Sequence, residues 1–367
     1  VHESKELYAT IMAGGKGRRL WPLSTSARPK QFIKFDGKSL LRRTFERIEP
    51  LIGADRTLVV TEKGKGEMVL EEVPQLSPEN VIEEPTGKNT APCIGLGGVF
   101  SKEKLGLDPE NSVMVVLPAD HLVQEEEEFR KLLQLAAKTA RERDSLVTLG
   151  IEPTRPATGY GYIQASSPLE EGEGEDGPLP RRVESFKEKP DLERAEEFLR
   201  AGNYFWNSGM FIWKTKTILE AIAKHLPDLS SALKQIGTGL RTEKEEEILK
   251  EEYEKLDPIS IDYGIMEKAE NRALIPASVG WNDVGDWSSV EVLLEKDERG
   301  NGFWGRTELR EVENSVAYNE EEKPLVCLGG EDLIIVNTEQ ALLVAPKDKA
   351  QDVKGAAIDF DSTSKEE

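Results

Sequence analysis

Residues 8–36 read YATIMAGGKGRRLWPLSTSARPKQFIKFD, and the interpretation of this stretch decides the fold. Residues 8–13 are a short apolar run rich in β-formers that ends at Gly14-Gly15-Lys16-Gly17, the pattern of a buried strand entering a glycine-rich loop. Regular patterning resumes only at Ser39, an N-cap for a helix that runs through Leu40, Leu41, Thr44, Phe45 and Ile48. An unpatterned connection of roughly twenty residues inside a compact domain is either functional or disordered. Its charges favour function. From 8 to 35 there is no Asp or Glu, yet Lys16, Arg18, Arg19, Arg28, Lys30 and Lys34 all fall there, in a chain of net charge −21. Glycines let backbone N–H groups approach a phosphate closely, and cations offset its charge. The alternative is a plain loop with solvated charges. The spacing is not that of a Walker A loop, and the last glycine of a dinucleotide fingerprint would fall on Leu20.

Outward from this stretch, the 367 residues suffice for two domains, and 38% hydrophobic with 7% aromatic content describes a globular chain with a charged surface. The negative charge excludes sequence-independent nucleic-acid binding, so a polyanionic substrate must meet a local positive site. Cys93 and Cys327 make no metal or redox spacing and are expected as small core residues; His2, His121 and His225 show no ligand spacing. With no apolar signal core and no membrane-length run, a cytoplasmic protein without membrane contact is expected.

Residues 57–61 read as a strand, so strand, loop, helix and strand open a βαβ unit with a parallel sheet. A strand over 80–83 leads into Glu84-Pro85-Thr86-Gly87-Lys88-Asn89 and then a small-residue helix, either a simple junction or a helix start that admits a base or phosphate. Residues 113–117 form a central strand with Asp120 just beyond its carboxyl end, the address of a working carboxylate or of a helix cap. An amphipathic helix follows over 125–143 and a strand over 145–151. Extended segments at 157–164 and 183–190 pair around an acidic loop, 168–180, that reads as exposed and idle. With the segment 203–213 they suit a sugar phosphate: Glu188, Lys189 and Asn207 supply polar partners, Gly159 and Tyr160 a wall, and Phe211 and Trp213 core. Helices are expected over 218–236 and 244–255 and from 259. Asp283 and Asp286 share a turn flanked by tryptophans, and beyond about 295 come short strands.

The motif Gly14-Gly15-x-Gly17-x-Arg19-Leu20-x-Pro22-Leu23 with Pro29-Lys30 resembles the sugar-nucleotide pyrophosphorylases, and Trp21-Pro22-Leu23-Ser24 with Arg28-Pro29-Lys30-Gln31-Phe32 more narrowly the bacterial mannose-1-phosphate guanylyltransferases. Leu117-Pro118-Ala119-Asp120-His121, Thr158-Gly159-Tyr160-Gly161-Tyr162-Ile163, Phe186-Lys187-Glu188-Lys189-Pro190, Trp206-Asn207-Ser208-Gly209-Met210-Phe211 and the segment from Ile259 to Lys268 follow in the family's order, from residue 7 to about 350. The resemblance implies an α/β fold, a doubly wound Rossmann-like mixed sheet of the nucleotide-diphospho-sugar transferase (GT-A-like) kind. Its catalytic domain would span 1–294, a small β-helix-like domain 295–355 and a disordered tail 356–367. It also implies transfer of a guanylyl group from GTP to mannose 1-phosphate, with Mg²⁺ on Asp120 and Asp283. Arg19 and Lys30 would bear on the triphosphate and Lys189 on the incoming phosphate. Ala13, Gly14, Gly15, Gly17, Arg18, Pro85, Gly87, Lys88, Asn89 and Asp120 would line the nucleotide, and Gly159, Tyr160, Glu188, Lys189 and Asn207 the sugar phosphate. His121 is expected to be structural, a homodimer is the expected assembly, and the chain is expected to end before the isomerase domain of fused members. Two rivals are another sugar or nucleotide in the same reaction, and a catalytically silent regulatory relative, which would be expected to lose Lys30, Asp120 or Asp283.

Overall fold

Leu7–Ala13 forms β1, in which Tyr8, Ala9, Thr10 and Ile11 are all fully buried. A strand covered on both faces belongs in the interior of a parallel sheet. The computed structural model describes residues 6–15, 17–169, 177–187 and 189–363, without the side chains of Arg18 and 361–363. The large sheet continues with β2 (Thr57–Glu62), β3 (Val81–Glu84), β4 (Val113–Pro118), β5 (Leu146–Ile151), β6 (Tyr162–Pro168), β7 (Arg181–Lys187), β8 (Tyr204–Lys214) and β9 (Arg272–Ala277). The order across it is β3-β2-β1-β4-β8-β5-β9-β7-β6. β1 lies parallel to β2 and β4, whereas β8 runs antiparallel to both β4 and β5. The sheet is therefore mixed. The expected pairing of β6 with β7 around the acidic loop is present, although residues 170–176 of that loop lie outside the described ones.

The chain divides into two compact units. The first runs to Gly14 and resumes over Thr44–Ala119 and Val123–Trp281; the second takes Gly15–Arg43, Asp120–Leu122 and everything from Asn282. These units cut across the linear division expected at residue 294. In the first unit the helices Thr90–Glu103, Thr215–His225 and Pro227–Gly239 share a core with Tyr8, Met114, Phe211 and Trp213. Close packing sets the first of these helices: a Cβ at Gly97 would stand 2.5 Å from Thr10 Oγ1 of β1. Two helices stand where one was expected over 218–236, because Pro227 has no N–H with which to continue the first and instead starts a new one. The helix expected from 259 is a single π-turn, Asp262–Met266. Helix Glu126–Arg143 buries Phe129, Leu132, Leu133, Ala136 and Ala140, as its periodicity requires.

The second unit winds seven short strands into stacked rungs: β10 (Glu295–Lys296), β11 (Gly302–Trp304), β12 (Thr307–Glu313), β13 (Val316–Asn319), β14 (Leu325–Glu331), β15 (Leu333–Asn337) and β16 (Leu342–Pro346). Gly302, Val316 and Ile334 lie in parallel register on one side, and Thr307 pairs in parallel with Leu325 on another. Amides close the corners: the buried Asn319 donates from Nδ2 to Arg306 O and Lys323 O, and the half-buried Asn337 donates from Nδ2 to Asn319 Oδ1, each at 2.9 Å. Cys93 is buried as expected, but Cys327 is only half-buried, because β14 turns alternate residues outward on this coil. Helix Val353–Thr363 occupies most of the segment expected as a disordered tail; Val353 and Ala357 are buried in a core with Leu20 and Trp21, apolar contacts that the polar composition of the tail concealed. Among the described residues no helix is long and apolar enough to cross a membrane.

Candidate active site

The second unit holds a cavity of about 550 Å³ lined by Gly17, Arg19, Lys30, Asp120, Asp283 and Lys354, among others. It brings together four charged residues expected from the sequence, Arg19, Lys30, Asp120 and Asp283. The loop reaches this shape through the turn Arg18–Leu20, where Ser24 Oγ donates to Gly17 O at 2.6 Å. Gly17 adopts φ 52°, and a Cβ there would lie 2.3 Å from Lys30 Cβ, so glycine alone fits beneath the lysine stem. Pro29 presets the entry to the turn Lys30–Phe32.

The two carboxylates, far apart in sequence, are joined by a two-residue bridge. Leu122 N donates to Asn282 O at 2.8 Å and Asn282 N returns to Leu122 O at 3.0 Å. Asp120 and Asp283 flank this bridge. Asp283 Oδ1 accepts from Gly285 N at 3.2 Å, and Asp286 caps helix Trp287–Val290 through Ser288 and Ser289. Lys30 is only 7% exposed. Its ammonium donates to Asp120 Oδ2 and to Asp283 O, both at 2.7 Å. Burial opposes the charge on Asp120, but the Lys30 ammonium beside it, with His121 adding to the effect, holds the carboxyl below its ordinary range. His121 Nε2 lies 3.8 Å from Asp120 Oδ1.

Not every cation of the basic stretch faces this cavity. Arg28 forms a two-bond ion pair with Glu320 at 2.7 and 2.8 Å, which ties the loop to the strand coil. Lys34 is exposed. Lys16 and the Arg18 side chain lie outside the described residues.

In the first unit, Ala13 is buried at the end of β1 while Gly14 and Gly15 are exposed beyond it. Glu84 lies close by, with Oε2 3.8 Å from the place a Cβ of Gly14 would take. It is buried and accepts the Tyr253 hydroxyl; burial pushes its carboxyl up to about 7 against the pull of that bond. Pro85 faces a separate cavity of about 580 Å³ with Phe100 and Leu249. Gly87 and Asn89 are exposed. Asn89 caps helix Thr90–Glu103 by accepting from Thr90 N at 2.8 Å, and the Lys88 ammonium donates to Glu254 O and Leu256 O.

Also in the first unit, the register of β8 against β5 breaks between Asn207 and Phe211, a bulge that re-aims the intervening side chains. Asn207 is held at both ends of its amide: Nδ2 donates to Asp262 Oδ1 at 2.8 Å, and Oδ1 accepts from Gly209 N at 3.1 Å. Tyr160 packs edge-on against Trp206 and Trp281, with centroids 5.1 and 5.3 Å away. Gly159 and Lys189 are exposed, Lys189 at φ 35°, and Glu188 lies outside the described residues. Sequence reasoning missed Asp262, Glu84 and Lys354. Asp262 lies in the segment 259–268 and Glu84 opens the segment 84–89, both already marked in the sequence, whereas nothing local marked Lys354.

Residues 8–299 match the Nucleotidyl transferase family, and 311–356 match the MannoseP isomerase/GMP-like beta-helix domain. The chain belongs to the nucleotidyl transferase family. This nucleotidyl transferase is 40% identical over 352 residues to a mannose-1-phosphate guanylyltransferase of Salmonella montevideo, spanning 94% of this chain and 72% of that protein. It is 35% identical over 368 residues to the mannose-1-phosphate guanylyltransferase of Escherichia coli, spanning 99% and 78%. The alginate biosynthesis protein AlgA of Pseudomonas aeruginosa is 36% identical over 361 residues, spanning 97% and 73%. Among solved structures, mannose-1-phosphate geranyltransferase from Thermus thermophilus superposes with a TM-score of 0.84 at 36% identity, covering 97% of this chain and 99% of that one. The α/β fold of this transferase, with a β-helix following the catalytic sheet, agrees with the expectation from sequence.

Proposed function

We propose that the protein is a mannose-1-phosphate guanylyltransferase, converting GTP and α-D-mannose 1-phosphate to GDP-mannose and diphosphate. The observation that carries this reading is the cavity in which Arg19, Lys30, Asp120 and Asp283 converge, in a chain whose relatives bear that name. An oxygen of the sugar phosphate attacks the α-phosphorus of GTP. The new P–O bond forms as the bond from the α-phosphorus to the bridging oxygen breaks, and diphosphate departs with that electron pair. The attacking oxygen is already anionic, so no general base is needed. Positioning and charge stabilisation carry the rate. Arg19 and Lys30 bear on the triphosphate. Asn207, with its amide orientation held by Asp262 and Gly209, reads sugar hydroxyls beside the Tyr160 wall. Lys189 serves the sugar phosphate, and Glu188 a sugar hydroxyl.

The family works with a divalent metal. The residues here fit one: two hard carboxylates, Asp120 and Asp283, line one cavity, and a cationic group already sits 2.7 Å from Asp120 Oδ2. Mg²⁺ is ordinarily held by one or two carboxylates together with substrate phosphates, so we assign Mg²⁺ to these two. When bound it supplies charge neutralisation to the phosphates. Retention of Lys30, Asp120 and Asp283 speaks against a silent relative. The free thiols Cys93 and Cys327 support a cytoplasmic location. Val326, Leu328, Leu342 and Val344, each more than half exposed on β14 and β16, support a homodimer through the strand coil.

The test is a panel of nucleoside triphosphates against sugar 1-phosphates, read by diphosphate release. GTP with mannose 1-phosphate is expected to give the highest kcat/KM. A faster pair would reassign the substrates, and no release from any pair would remove the catalytic reading.

A further inference from the structure

Three cations and two carboxylates line the cavity of the second unit, and one of those cations belongs to no motif of the sequence. Lys354 and Ile358 stand four residues apart on helix Val353–Thr363, so both project from one face, and both line the cavity that holds Arg19, Lys30, Asp120 and Asp283. The helix is fixed against both walls of that cavity. Gln351, just before it, donates to Asp286 Oδ2 in the turn that follows Asp283, and Phe360 packs on Trp21 with centroids 5.4 Å apart, two residues beyond Arg19. Val353 and Ala357 anchor its other face in the core.

The cations of this cavity differ in their partners. Lys30 is paired with Asp120. Among the described residues, neither Arg19 nor Lys354 makes an ion pair or side-chain hydrogen bond. With the carboxylates of Asp120 and Asp283 set against three cations, the cavity keeps a positive charge in excess, and Arg19 and Lys354 are the cations placed to receive an anion.

The geometry points to Lys354 as a further triphosphate-binding residue, so that the C-terminal helix adds a cation to the phosphate cavity of the second unit. This rests on the reading of the cavity as the triphosphate site. A compact ammonium on an exposed helical stem suits the outer phosphates, which leave as diphosphate, better than the sugar phosphate. Lys354→Ala is expected to raise the dissociation constant for Mg·GTP by about tenfold, the loss of one charge-assisted hydrogen bond, and to raise the KM for diphosphate in the reverse reaction similarly. The KM for mannose 1-phosphate should not move. Lys354→Arg is expected to stay within roughly threefold of wild type because it restores the charge. Lys349→Ala, which removes an exposed cation of the same segment paired with Asp352, should leave GTP binding unchanged.

The experiment is calorimetric titration of the full chain with Mg·GTP for wild type and the three variants, with thermal unfolding to confirm that each is folded. Wild-type affinity in Lys354→Ala would overturn the inference while leaving the functional reading intact. Equal losses in Lys354→Ala and Lys349→Ala would overturn it in favour of a diffuse field. Wild type that binds GTP but forms no GDP-mannose would overturn the functional reading and leave the binding role of Lys354 standing. Wild type that binds no GTP would overturn both.

Discussion

The charged cavity and the wall proposed for the sugar are built in opposite ways. In the cavity, functional groups hold one another: Lys30 is almost fully buried and bonded to Asp120 and to the backbone at Asp283, and a backbone bridge joins the segments carrying the two carboxylates. On the wall, Gly159 and Lys189 are exposed, and the Asn207 amide is held by Asp262 and Gly209. Buried, mutually fixed charges act on developing charge without reorganising at the moment of reaction. An open wall of amide and aromatic groups selects by contact. On the proposed function, chemistry and substrate choice are separable here, and single substitutions should separate them.

Asp120→Asn tests the cavity most harshly. It removes a carboxylate assigned to the metal and leaves Lys30 without its charged partner. Turnover is expected to fall by about a thousandfold or more. Near-wild-type turnover at saturating Mg²⁺, measured by diphosphate release, would take Asp120 out of the mechanism. Asn207→Ala tests the wall and should raise the KM for mannose 1-phosphate by roughly tenfold, with GTP affinity by calorimetry unchanged. A collapse of GTP affinity instead would break the comparison, since the wall would then serve the nucleotide.

Glu84 sharpens the comparison through pH. Asp120 is held ionised by its lysine, whereas burial raises the Glu84 carboxyl to about 7. A carboxyl raised in the folded state contributes stability that is present below its unfolded value and lost as pH climbs through about 7. Glu84→Gln should therefore stabilise the fold by up to about 3 kcal/mol at about pH 8 and by little at about pH 4.5. Urea unfolding at both values checks this. An equal change at both would mean that the substituted amide acts through packing, not through the lost charge.

Much of this was legible because it depended on local pattern. The continuous apolar run of β1 announced a strand buried on both faces, and the glycines and cations after it announced a loop set apart from regular structure, part of which lines the charged cavity. Asp120 was legible from its place beyond β4. What stayed hidden depended on contacts made by folding. Nothing local tells Arg28 from Lys30, yet one is tied to Glu320 and the other to Asp120, 90 positions away. The antiparallel course of β8 between parallel neighbours reflects sheet order, not strand propensity. Helix Val353–Thr363 is only 11 residues long, too short to hold by itself, and it is the burial of Val353 and Ala357 in a core with Trp21 that holds it in place.

On the proposed function one buried lysine, not the basic stretch as a whole, acts on the reacting phosphates. Turnover at saturating GTP and mannose 1-phosphate and fixed ionic strength, compared between Lys30→Ala and Lys34→Ala, tests it most directly. A loss of about a hundredfold or more is expected for Lys30→Ala and less than roughly threefold for Lys34→Ala. Equal losses in the two variants would contradict it.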